Sequence, residues 1–158
     1  MEAAVRQRWV PIALVAVGLF AINVIARLII RLGFNGDDTA ENRVSLVMFA
    51  VVGLTLAVIT FIRAQQQRPS QWLPELTAAA VVAMLLTILV GPFISGDGPF
   101  DGGAGNFFSQ VWLYGGFAIV GTLLGYWVAT ALGRDYRSRS LSAFAQSRAT
   151  KPRRVVRR

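Results

Sequence analysis

Asn23, Arg27 and Arg31 recur at four-residue spacing near the end of a long apolar run, the one place where strong polarity enters such a run. In a helix this spacing sets the three side chains roughly along one face. A guanidinium in lipid is expensive to keep, and the chemistry it offers is recognition of an anion. That anion would be a lipid headgroup, a solute or an acidic group of a partner. A plainer expectation stands beside this one. Arg27 lies about one turn from the end of the run and can snorkel to the interface, and Asp37, Asp38 and Glu41 in the following loop GFNGDDTAENR can pair with it.

The remaining acids suggest less chemistry. In WLPE, Pro74 and Glu75 are expected in the first turn of a helix, where an acid complements the helix dipole. A proton-coupled transporter needs its acid well inside a span. Asp97 and Asp101 lie in the segment GPFISGDGPFDGGAGNFFS and loosely suggest a calcium loop. Calcium wants six to eight oxygens, and the full EF-hand pattern is missing. The chain contains no Cys and no His. That removes disulfides, thiolate nucleophiles, imidazole ligands for haem or zinc, and Ser–His pairs. No Walker loop, nucleophile elbow or dinucleotide fingerprint is present, nor any nucleophile–base pair for work on a lipid. The expectation is therefore a protein that is not an enzyme and uses no metal or cofactor.

The elements that must hold these groups are legible from hydropathy. Of 158 residues, 54% are hydrophobic and 15% charged, too apolar for an ordinary soluble domain. The apolar residues come in blocks of about 18 or more, the length of a membrane span. Four blocks occupy about 9–32, 44–62, 72–92 and 111–132. The first is too long for a signal-peptide core, and no A-x-A cleavage site follows it, so it reads as a retained span. Gly91-Pro92 should bend or end the third. The Gly/Phe-rich loop 93–109 would cap one face or offer a docking surface. The fold class predicted is an all-α membrane protein, a four-transmembrane-helix bundle. Its membrane domain is 1–133, and 134–158 forms a basic tail with helix expected over 134–148.

Charge sets the expected orientation. The amino end, the loop 63–71 and the tail together hold thirteen Arg and Lys residues, against three (Arg27, Arg31, Arg43) toward the other side. The positive-inside rule then places both termini in the cytoplasm. Trp9, Trp72, Trp112 and Trp127 all fall near span ends, as interface-seeking indoles should. Fifteen Arg to one Lys suggests a GC-rich bacterial genome, hence a bacterial plasma membrane.

Two further features concern contacts. Gly121, Gly125, Ala129 and Gly133 recur every four residues and make one face of the fourth span small enough for close helix approach. Gly53 and Ala57 supply a shorter small pair in the second span. Packing within the bundle is the plainer use of this face; a second copy or a larger membrane partner is the other. The tail holds nine of the sixteen basic residues, with Tyr136, Leu141 and Phe144 interleaved. It serves as a topology determinant. Arg137, Arg139, Arg153 and Arg154 are candidates, with Asn23, Arg27 and Arg31, for contact with anionic lipid or a partner. Nothing in the tail requires nucleic acid. The function expected is that of a non-catalytic accessory or scaffold protein packing with membrane partners. The alternative is a small ion or solute channel formed by a parallel homo-oligomer, with Arg27 at its mouth favouring anions. A dual-topology dimer would need balanced charge, which this chain lacks.

Overall fold

The structure, a computed structural model, describes residues 2–33, 38–96, 98, 100 and 103–149. Its elements are α1 (Glu2–Gly33), α2 (Asp38–Gln66), α3 (Pro69–Leu85), a π-helical turn (Leu86–Val90), α4 (Gly91–Ser95), α5 (Gly103–Ala131) and α6 (Tyr136–Ala149). Among the described residues, four helical stretches are long and apolar enough to cross a membrane. They are Trp9–Gly33, Asn42–Gln66, Pro69–Ile94 and one beginning at Gly103. They suggest a multi-pass membrane protein. Helices suit that setting because lipid offers no partner for a free N–H or C=O.

Helix ends differ from the hydropathy boundaries in a consistent way. α2 begins at Asp38 rather than Val44, and α5 at Gly103 rather than Val111. The 29 residues of α5 extend ~43 Å, past a hydrocarbon core of ~30 Å. Hydropathy marks only the part that needs lipid, whereas a nucleated helix propagates into polar sequence. The Gly/Phe-rich segment is therefore helical from Gly103 onward, with Phe100 stacked on Phe107 at 5.1 Å.

The third span departs most from expectation. Pro69 occupies the start of α3 behind an extended Arg68, so Pro74 and Glu75 lie inside the helix and not in its first turn. Glu75 instead pairs with Arg63 at 3.0 Å across the connection between α2 and α3. At the other end, Gly91-Pro92 does not stop the chain. The Gly91 N–H reaches back to the Leu86 carbonyl, and helix resumes as α4. A π turn of this kind absorbs the N–H that proline lacks. Gly96 then ends α4 at φ +94°, a left-handed cap that glycine adopts without strain.

Within the bundle, α1 packs on α2 and on the α3–α4 unit, and α2 packs most extensively on α5. α3 touches α5 only lightly. The core contains Leu19, Phe49, Val52, Leu56, Leu76, Ala83 and Tyr114. Trp9, Trp112 and Trp127 are exposed, but Trp72 is 2% exposed. It shares a buried face with Leu76, Ala79 and Ala83, and its ring lies 6.1 Å from Tyr126. Of the four expected interface anchors, this one is turned inward.

Candidate functional site

The small residues of α2 and α5 meet face to face. A methyl added at Gly121 would collide with the Gly53 backbone, and one at Gly125 with the Ala57 backbone. One at Gly53 would lie 2.9 Å from the Phe117 carbonyl oxygen. Ala129 continues this face and is fully buried. Gly133 does not belong to it. The helix has ended, Gly133 sits at φ +62°, and no heavy atom would lie within 4 Å of an added methyl. The Arg134 N–H bonds to the Ala129 carbonyl and the Gly133 N–H to the Thr130 carbonyl, at 2.9 Å each. That pair is a Schellman motif, so Gly133 serves as a helix cap and not as part of the seam.

Asn23, Arg27 and Arg31 come together on the broken third span. Asn23 is 2% exposed; its Nδ2 donates to Met48 Sδ at 3.0 Å and its Oδ1 accepts from Arg27 Nε at 3.2 Å. Arg31 donates from a guanidinium nitrogen to the Ile94 carbonyl at 2.9 Å. A methyl on Gly91 would stand 2.8 Å from both Arg27 Nε and Asn23 Oδ1. The absent side chain at Gly91 thus makes the space in which Arg27 lies. The expected loop partners Asp37, Asp38 and Glu41 have side chains outside the described residues, as do Asp97 and Asp101. Nothing in the sequence marked Met48 or Ile94 as partners, because a thioether and a backbone carbonyl have no motif.

A third cluster lies at the end of the bundle that carries α6. A pocket of about 490 Å³ is lined by Ala64, Arg68, Pro69, Ser70, Tyr126, Asp135, Tyr136, Arg137 and Ser140. Arg68 stacks on the Tyr136 ring at 5.7 Å. Asp135 caps α6, its Oδ2 accepting the Ser138 N–H at 3.4 Å. It is 6% exposed, and its Oδ1 has no hydrogen-bond partner. Hydrogen bonding from Ser138 holds its carboxyl below the ordinary range, against an opposing push from burial. Of the four tail arginines singled out from sequence, Arg137 lines this pocket. Arg139 is exposed on α6 outside it, and Arg153 and Arg154 lie outside the described residues. Sequence reasoning missed Asp135. The signal was present, since an acid directly after a Gly-Arg pair and before a polar helix is a standard N-cap position.

No family model, curated protein or solved structure matches this chain.

Proposed function

We propose that the chain is a non-catalytic accessory or scaffold protein of a bacterial plasma membrane, with both termini and the basic tail in the cytoplasm. It packs there with partner membrane proteins. The orientation rests on the thirteen-to-three distribution of basic residues, read through the positive-inside rule.

The observation that carries the functional reading is the use of charge along the spans. Arg27 bonds Asn23, Arg31 bonds the Ile94 carbonyl, and Arg63 pairs with Glu75. Each of these charged groups is engaged in joining turns and helices of this chain, which is architecture. Meanwhile α5 buries only the stripe Tyr114, Gly121, Gly125 and Ala129. Ile119, Leu123, Leu124 and Trp127 stay exposed on its remaining surface. An apolar surface of that extent suits lipid or the helix of a partner.

Copurification in several mild detergents tests the proposal. A stoichiometric membrane partner is expected, and recovery of a lone monomer throughout would count heavily against it. The channel reading has its own assay in liposomes. Ion flux that disappears in Arg27→Ala would replace the accessory reading.

A further inference from the structure

We propose that the pocket between α3, α5 and α6 is a binding site for a phosphate diester carrying a primary ammonium, the headgroup chemistry of a phosphoethanolamine lipid. The proposal rests on the membrane reading but not on the existence of a protein partner. Four elements converge on the pocket, α2 among them through Ala64. α3 contributes Arg68, Pro69 and Ser70 at its amino end, α5 contributes Tyr126, and α6 contributes Tyr136, Arg137 and Ser140 behind its cap Asp135.

The anionic half of the ligand finds two arginines and the amino end of α3, while the amino end of α6 is already capped by Asp135. Arg68, the N-cap residue of α3, makes no side-chain cap. Pro69 has no N–H and the Gln71 N–H is bonded to the Arg68 carbonyl at 2.9 Å, so the first turn offers the Ser70 N–H, with the positive end of the helix dipole behind it. Arg68 and Arg137 add full positive charges suited to phosphate oxygens. Tyr136 holds Arg68 by stacking, so one guanidinium is placed before any ligand arrives.

The cationic half has its own feature. Asp135 is more than nine-tenths buried and lines the pocket, and only one of its two carboxylate oxygens is used. A buried carboxylate oxygen without a donor is costly. Neither arginine of the pocket makes an ion pair with it among the described residues. A ligand ammonium supplies the missing N–H, and the ring of Tyr126 favours a cation as well. A volume of about 490 Å³ accommodates a headgroup and excludes a folded protein segment. The pocket sits just beyond the end of α5 at Ala131, and on the membrane reading the end of a span is where lipid headgroups begin.

The test is native mass spectrometry of the detergent-solubilised full chain. It is titrated separately with phosphatidylethanolamine, phosphatidylglycerol and phosphatidylcholine, and with soluble phosphoethanolamine and inorganic phosphate. One phosphatidylethanolamine per chain is expected, bound roughly tenfold more tightly than the glycerol lipid, which lacks the ammonium, or the choline lipid, which lacks the N–H. Arg68→Gln with Arg137→Gln should weaken binding roughly tenfold or more, while Arg139→Gln with Arg148→Gln, the same charge removed outside the pocket, should not. Asp135→Asn keeps a cap-forming side chain and should erase the preference for phosphatidylethanolamine over phosphatidylglycerol. Helix content and melting temperature of each lipid-free variant show whether it has folded. Equal losses in the two arginine pairs would reduce the effect to diffuse tail charge and overturn the proposal. So would equal affinity for the three lipids in the parent chain. Binding of soluble phosphoethanolamine as tight as that of the lipid would keep the chemistry but assign the pocket to a free solute. Loss of lipid binding leaves copurification with a protein partner untouched, so failure here and failure of the accessory reading are separable.

Discussion

Two helix contacts in the bundle are built on opposite principles. Along α2 and α5, glycine and alanine bring backbone against backbone, with Gly121 over Gly53 and Gly125 over Ala57. Between α1 and the α3–α4 unit, long polar side chains fill the gap, and Gly91 yields space to Arg27. The first seam has no give, since peptide groups cannot change rotamer. The second is adjustable, because a guanidinium on a flexible stem can move. A glycine at the first contact meets backbone that cannot give, whereas Gly91 at the second meets side chains that can shift.

The largest expected effect comes from breaking the rigid seam. Gly121→Leu must push α5 off α2 and should cost about 3 kcal/mol in unfolding assays in detergent. Gly116→Leu, five residues earlier on another face of α5 with open space around it, should leave stability almost unchanged. Equal effects at the two positions would mean that α2 and α5 are not apposed as described.

Loss of the polar clasp should be intermediate. Asn23→Ala removes the acceptor of Arg27 and the donor to Met48. A destabilisation of about 1–2 kcal/mol is expected, the range for hydrogen bonds between membrane helices. Proteolysis or hydrogen exchange should report it first near Gly91-Pro92, where the clasp meets the broken helix. Protection there that is identical to the parent's would remove Asn23 from any role in holding that turn.

Gly91→Ala sharpens the contrast because it should cost about 1 kcal/mol, less than Gly121→Ala. The added methyl meets the Arg27 and Asn23 side chains, which must shift, and alanine's helix propensity offsets part of that readjustment. The same substitution at Gly121 meets backbone and has no such relief. If Gly91→Ala proves as damaging as Gly121→Ala, the clasp is as rigid as the seam.

The smallest effect belongs to Asp135, which lies outside both contacts. Its carboxyl titrates below the ordinary value in the folded chain, so folding gains from its ionised form. That contribution is present at neutral pH and is lost as pH falls from about 4 downward through the folded value. The acid-side loss of α6 helicity, followed by circular dichroism, should therefore flatten in Asp135→Asn. A profile unchanged by the substitution would remove Asp135 as its source.

Much of the fold was legible in the sequence, and the reason is local. Four apolar blocks, each with one hydropathy, announce four membrane-length helices without reference to one another. The Gly91-Pro92 break was visible as a disturbance, though its outcome was not. Whether a proline ends a helix or is carried through a π turn depends on what packs around it, here the arginine face of α1. Pro74 and Glu75 were misplaced because the helix begins at Pro69, in residues too polar to register as span. Trp72 was expected at the interface for its type and turns inward because it lies on the face with Leu76, Ala79 and Ala83.

The candidate site was legible only as types of residue. Spacing alone placed Asn23, Arg27 and Arg31 on one helix face, and composition alone marked the spans. That the three arc over Gly91 and Ile94, that α5 presents its glycines to α2, and that Arg68, Asp135 and Arg137 share one pocket were decided by the tertiary structure. Hydropathy and helical periodicity act within a segment, whereas those contacts join residues far apart in the chain. A small-residue face records that something comes close; only the packed bundle determines that it is α2.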